Sequence, residues 1–246
     1  MFAFEIWGRF ASFKDPFTIS QNISLPIPPK TAIAGMMASI LGVENYFDDI
    51  AFSDFNYSVV TLNPIRKKSF SQNYINDYTS KVQTHLNSLK KSDYSKIKTG
   101  LRDTKSPQKP INRELLLDVK YLVFIKNFKY QDKITTYLKN RISKFPLYLG
   151  NSEFAGNFKF VEINTHRIID LPSTEVNSFI LESDTKYIEF KGDIRYSNIS
   201  FATTLNSKRT PISISNIIVG SKAISVKNMS IYSIQCQDKI YHRRFL

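Results

Sequence analysis

Residues Leu115 to Lys126 read LLLDVKYLVFIK, and no other segment limits the fold of this chain as tightly. In an extended strand successive side chains alternate, so Val119, Tyr121, Val123 and Ile125 share one face while Leu122 and Phe124 share the other. A strand that is apolar on both faces is central in its sheet and has packed material on each side.

The flanking segments supply the rest of such a sheet. Phe2, Phe4 and Ile6 alternate with Ala3, Glu5 and Trp7, a first strand that is expected to stop at Gly8. Arg9 to Pro29 has no period and ends in the cluster Pro26, Pro28 and Pro29, which marks a loop leading into a helix. Ile33, Met36, Met37, Ile40 and Leu41 follow with helical spacing, with Gly42 placed to cap the C-terminus. Phe52 to Leu62 reads as a second strand ending before Pro64. Ile134, Tyr137, Leu138, Ile142 and Phe145 read as a second helix ending before Pro146, Gly150 opens a turn, and Phe154 to Ile163 supplies a fourth strand.

The order is therefore β-α-β-β-α-β with an insertion after the second strand. This is the split pattern of an α+β, ferredoxin-like or RNA-recognition-motif-like domain. We assign that domain to residues 1–165. From about His166 onward the pattern changes to short alternating runs at 188–190, 211–219 and 230–235, so 166–246 is expected to form a β-rich C-terminal subdomain.

The chain carries a net charge of +13, which points to a polyanionic partner, with nucleic acid the first candidate. Between Pro64 and Arg113 stand twelve basic and three acidic residues, so nine of the thirteen net charges lie there. That stretch is poor in aliphatic side chains and reads as a basic insertion over 66–112. Tyr74, Tyr78 and Tyr94 lie among its cations, a mixture that suits a single RNA strand, with rings for bases and ammonium groups for phosphates. The same composition also describes a solvated loop.

Other classes are disfavoured. No apolar run is long enough to cross a bilayer, and Glu5 and Arg9 interrupt what would be the apolar core of a signal peptide, so a cytoplasmic protein is expected. The single cysteine, Cys236, rules out an internal disulfide and a multi-thiolate zinc site and reads as a small buried hydrophobe. No phosphate-binding glycine loop, nucleophile elbow or metal-ligand spacing is present, so no metal and no cofactor are expected.

The string FEIWGRFASFKDPFT, followed by PIPPKTAIAGMMASILG, closely resembles the Cas-five family of CRISPR-associated proteins in the RAMP superfamily. The type I-B branch is the most similar. NRELLLDVKYLVFI at 112–125 and KFPLYLGNSEF at 144–154 agree with it. The resemblance implies a ferredoxin-like body with a thumb at the position of the basic insertion. It further implies a subunit that caps one end of the crRNA-guided surveillance complex called Cascade and grips the repeat-derived 5′ handle of the crRNA. Its partners would be that crRNA, the backbone subunit and the large subunit, with target DNA reached indirectly through the complex.

On that reading, the start of the first helix is a phosphate seat built from Lys30 and Thr31, because a helix N-terminus offers unpaired amides and partial positive charge. Arg9, Phe13 and Lys14 would give splayed nucleotides a guanidinium, a stacking ring and an ammonium. Arg66, Lys67, Lys68, Arg102, Lys105, Lys109 and Arg113 would line the thumb. Each has a plainer alternative, Phe13 as a core residue and the cations as a solvated face.

One branch of the family cleaves precursor RNA, so a metal-independent repeat endoribonuclease is an alternative, and an RNA-recognition module outside CRISPR biology is a third. Metal-free cleavage needs an acid–base pair near the 2′-hydroxyl. Where the cleaving branch places Lys and His, this chain carries Phe124 and Lys126, and an apolar ring cannot move a proton. Of His85, His166 and His242, only His85 lies among insertion cations, which makes it a weak catalytic candidate.

Overall fold

The computed structural model describes residues 1–18, 21–75, 86–95 and 108–246. The strands of the N-terminal half are β1 (Phe2–Ala11), β2 (Phe13–Lys14), β3 (Ser24–Leu25), β4 (Asn56–Thr61), β5 (Arg66–Ile75), β6 (Gln108–Lys126) and β7 (Asn157–Val161). Helix α1 spans Lys30–Leu41 and α2 spans Gln131–Lys139. The main sheet has the order β4-β6-β1-β7 and is antiparallel throughout. The central position expected for 115–126 is observed, with Leu116, Tyr121, Val123, Phe124 and Ile125 all buried.

The helices cover one face of this sheet, where Phe2, Phe4, Ile6, Tyr121, Val123 and Ile125 meet Ile33, Met37, Ile40, Ile134 and Leu138. The C-terminal strands are β8 (Thr165–Val176), β9 (Ile180–Leu181), β10 (Tyr196–Leu205), β11 (Pro211–Gly220), β12 (Ile224–Cys236) and β13 (Lys239–Arg243). They form two three-stranded sheets, β10-β11-β9 and β13-β12-β8. Ile234 and Cys236 pack on the other face of the main sheet, against Ala3, Val60, Leu122 and Phe124. Phe179, Ile199, Phe201 and Ile217 join the helix-side core. The C-terminal third thus holds both faces of the N-terminal sheet.

Helix α1 has the limits its period suggests. Gly42 takes the left-handed conformation (φ 76°, ψ 37°), and its amide bonds the Ala38 carbonyl at 2.8 Å, as a C-terminal cap should.

Several boundaries differ from the sequence reading. β1 runs through Gly8 to Ala11, and glycine stands there because a Cβ would lie 2.6 Å from Leu149 Cδ1. α2 stops at Lys139, since Asn140 caps it and Arg141 adopts φ 53°. Ile142 and Phe145 are therefore non-helical and partly exposed, and the amides of Lys144 and Phe145 bond the Ile40 and Ser39 carbonyls at the end of α1. Phe52 lies in a 3-10 turn, begun where the Asp49 carboxylate accepts the Ala51 amide, so β4 starts only at Asn56. The fourth strand is the shorter 157–161. Residues 188–190 form no strand, only a single bridge from Ile188 to Val226.

At its two ends the basic insertion forms strands. Residues 66–75 and 108–117 pair as an antiparallel ribbon that prolongs the main sheet beyond β4. Polar and charged residues suffice there because the ribbon takes its order from the ladder of backbone hydrogen bonds and from β6, which is anchored in the core. Residues 86–90 are helical.

Gly150 closes the loop before β7 at φ 94°, with its Cα set against the Ser12 carbonyl; a Cβ there would stand 1.9 Å from that oxygen. We expect Gly150→Ala to lower the unfolding free energy by about 2 kcal/mol or more in urea denaturation, since backbone must move. Gly192→Ala, with nothing within 4 Å, should stay within about 0.5 kcal/mol of the parent chain.

Candidate nucleic-acid interface

The loop between β1 and α1 is held by the core beneath it. Tyr57 donates its buried hydroxyl to the Pro28 carbonyl, and Tyr121 donates to the Pro26 carbonyl at 2.8 Å. Burial pushes both phenols well above the usual tyrosine range, so both stay protonated donors. The start of α1 is fixed as a result. Pro29 takes the N-cap position without a side-chain cap, and no acidic residue stands in the first turn. The amides of Ala32 and Ile33 bond the Pro29 carbonyl. Those of Lys30 and Thr31 make no hydrogen bond among the described residues, which leaves the positive end of the helix open.

That end forms one wall of a cleft of about 300 Å³, lined in part by Lys14, Thr31, Tyr46, Phe47, Asn151 and Arg209. Phe13, Gly150 and Leu205 contribute apolar surface and backbone. Lys14 is exposed on the short β2 strand, which pairs with β3. Arg209 comes from the turn joining β10 and β11. Its amide bonds the Asn206 carbonyl at 2.8 Å, its φ is 59°, and its guanidinium lies 5.6 Å from the centre of the Phe47 ring. Tyr46 and Phe47 lie side by side, centroids 4.1 Å apart. Burial raises the Tyr46 phenol, with Arg209 opposing, so it also stays a neutral donor. Two cations, an open helix end and two rings in one concavity are chemically suited to phosphates and unstacked bases.

Only part of the expected set is here. Lys14 and Thr31 line the cleft, and Arg9 is exposed on β1, with its guanidinium 5.4 Å from the Phe10 ring centre. Phe13 is 2% exposed and packs edge-on against Tyr121, so it is a core residue and not a stacking platform. Lys30 is buried, its ammonium 4.8 Å from the Phe55 ring centre, and burial draws its pKa below the usual lysine range against the pull of Asp54. It does not line the cleft.

Arg113 is likewise buried in structure: it pairs with Glu153 at 2.7 Å, bonds Gln72 at 2.9 Å and lies over Phe154. At the root of the ribbon, Arg66 pairs with Asp118 at 3.0 Å and Lys67 with Glu114 at 2.8 Å, while Lys68 is exposed. Arg102, Lys105, His85, Lys81 and Tyr78 lie outside the described residues. Lys109 and Tyr74 are placed only as backbone of the ribbon. His166 is exposed on β8, and His242 is held by Thr174 and Asn177. Phe124 is buried under the Arg243 guanidinium, 3.5 Å from its ring centre, and Lys126 donates to Tyr232 at 2.6 Å.

Tyr46, Phe47, Asn151 and Arg209 were missed by the sequence reading. The KRTP run at 208–211 does signal a turn, but nothing local says that this turn reaches α1.

Comparison with family models places residues 1–197 in the family described as CRISPR-associated protein (Cas_Cas5). The chain belongs to the Cas5 family. Among solved structures it is similar to a chain of a CRISPR RNA-guided surveillance complex, with 14% identity, a TM-score of 0.54, and coverage of 91% of this chain and 90% of that one. It is also similar to a chain of a type III-B Cmr-beta complex bound to cognate target RNA and AMPPnP, with 14% identity, a TM-score of 0.50, and coverage of 91% and 86%. At that identity the likeness is one of fold. A search of curated proteins gives no match. No helix among the described residues of this Cas5 protein is long and apolar enough to cross a membrane.

The geometry separates the cleft cations from the structural ones. Lys14→Gln and Arg209→Gln should each weaken single-stranded RNA binding and reduce the log–log salt slope by about 0.7 for every phosphate left without its cation. Lys30→Met should leave affinity and slope unchanged, because its ammonium already faces Phe55; fluorescence anisotropy over a salt series measures all three.

Proposed function

We propose that this Cas5 protein is a non-catalytic, cytoplasmic RNA-binding subunit of a type I CRISPR surveillance complex, of the I-B branch, that caps one end and holds the 5′ handle of the crRNA. The observation that carries the proposal is the cleft, where the open end of α1 meets Lys14, Arg209 and the Tyr46–Phe47 pair. A handle is a single strand, and a concavity with cations and rings suits its phosphates and unstacked bases. The structural likeness to a chain of an RNA-guided surveillance complex supports membership in such an assembly. The backbone and large subunits would then be its neighbours, and target DNA would be met only through the complex.

On this reading the strand order β4-β6-β1-β7 with α1 and α2 on one face is a ferredoxin-like body over 1–165. The ribbon of β5 and β6 is the root of a thumb over 66–112, and residues 166–246 are a β-rich subdomain. The absence of cleavage is supported by Phe124. It sits where the cleaving branch has a proton-transferring side chain, and it is buried beneath Arg243.

Purified protein incubated with 5′-labelled repeat RNA in EDTA should shift that RNA in a native gel and leave it whole in a denaturing gel. A discrete cut would establish the endoribonuclease alternative. Copurification with backbone subunits and a guide RNA is expected from the native host, and its failure alongside a sequence-indifferent shift would indicate a general RNA-recognition module.

A further inference from the structure

The face of the main sheet turned away from the helices is only half covered. The β12–β13 hairpin closes it over Ala3, Val60, Leu122 and Phe124. Beyond that cover the same face continues through Glu5, Trp7 and Arg9 of β1, because these alternate with the core residues Phe4 and Ile6. Trp7 stands directly between Lys120 of β6 and Asn157 of β7, and Glu5 between Leu122 and Lys159. Trp7 is half-buried and belongs to none of the three apolar clusters. Beside it, between the strand face and the turn after β12, lies a groove of about 340 Å³ lined in part by Glu5, Lys120, Lys159, Asp238, Lys239 and Tyr241.

Its charges are unevenly matched. Lys120 is neutralised by Glu5 at 3.0 Å. Of the other charges that line it, Lys159 and Lys239 have no carboxylate partner among the described residues, against the single carboxylate of Asp238. A partly exposed indole beside a groove with an excess of cations offers what the two components of a nucleic-acid strand need, a stacking face for a base and partners for phosphates.

We propose that this open sheet face is a second site, separate from the cleft at α1, where a single-stranded nucleic acid stacks one base on Trp7 and lays its phosphates along Lys159 and Lys239. The site does not rest on the handle-binding reading. It lies on the opposite layer of the sheet and shares no residue with the cleft. A ring and ammonium groups distinguish neither sugar, so RNA and DNA strands are both suitable ligands.

Trp7 is the only tryptophan in the chain and reports on its own site. The full-length protein should be titrated with short oligouridine and, separately, oligothymidine, with selective excitation of the indole. Saturable quenching with either oligonucleotide is expected. Lys159→Gln combined with Lys239→Gln should right-shift the quenching curve several-fold, while Lys14→Gln combined with Arg209→Gln should leave it in place. Trp7→Ala, followed with a labelled oligonucleotide on the cleft double variant, should cost about tenfold in affinity.

The proposal is overturned if binding seen by anisotropy leaves Trp7 emission unchanged, if base-free polyphosphate quenches equally well, or if only the cleft variant moves the quenching curve. Loss of handle binding in the cleft variant with quenching intact would leave this site standing on its own. Persistence of handle binding in the cleft variant, with quenching intact, would instead refute the cleft reading alone.

Discussion

Two tyrosine hydroxyls in the core determine where the polar end of this molecule lies. A buried phenol must find an acceptor, and prolines cannot form a regular ladder, so the Pro26 and Pro28 carbonyls are available partners for Tyr121 and Tyr57. Each satisfies the other's need. One consequence is that the Pro26–Pro29 segment, which has no regular secondary structure, is anchored to the sheet, and α1 can begin only where Pro29 leaves it. The Ser12 amide bonds the Leu149 carbonyl at 3.1 Å, and Gly150 fits beneath the Ser12 carbonyl, so the strand exit and the neighbouring loop are fixed to the same frame. The cleft is then a by-product of core packing, and its helix end is preorganised before any ligand arrives.

A second constraint lies on the other layer. Arg243 is wholly buried, and among the described residues its three side-chain nitrogens have no hydrogen-bond partner. What faces it is the ring of Phe124 at 3.5 Å and that of Tyr241 at 5.3 Å, so the guanidinium is stabilised by π-faces in place of acceptors. Burial pulls its pKa down to about 9 and pushes the adjacent Cys236 thiol up to about 11, which leaves a charged arginine beside a protonated thiol at neutral pH. An aromatic residue at 124 is therefore tied to the cation at 243. A proton-transferring side chain at 124 would have to replace that pairing as well as introduce chemistry.

Periodicity made the central strand, β1 and α1 legible, because each is an apolar pattern locked to one geometry. It failed where polar backbone chemistry decided the outcome. Ile142 and Phe145 keep helical spacing, yet the left-handed Arg141 ends the helix and their segment bonds to α1. Residues 66–75 look like loop by composition and are strand by pairing. Charge was a poor guide to which side chains line the cleft. Lys30 and Arg113 are as basic as Lys14, but one is folded onto Phe55 and the other is paired with Glu153. Arg209 and the rings at 46 and 47 meet across more than 160 residues, a separation that no local signal spans.

That separation bears on how the site is divided within the fold. The family model matches residues 1–197, which contain the proline loop, α1, Lys14 and both rings, whereas Arg209 lies beyond it. The strands that carry Arg209 are rooted by Phe201 and Ile217 in the helix-side core, and the turn itself is exposed and closed by the Asn206 carboxamide, which accepts the Thr210 amide at 2.8 Å. A residue on such a tip can change without disturbing packing, since the buried roots hold the hairpin in place. The matched region thus supplies the shape and the helix dipole, and the hairpin tip supplies a separable part of the charge.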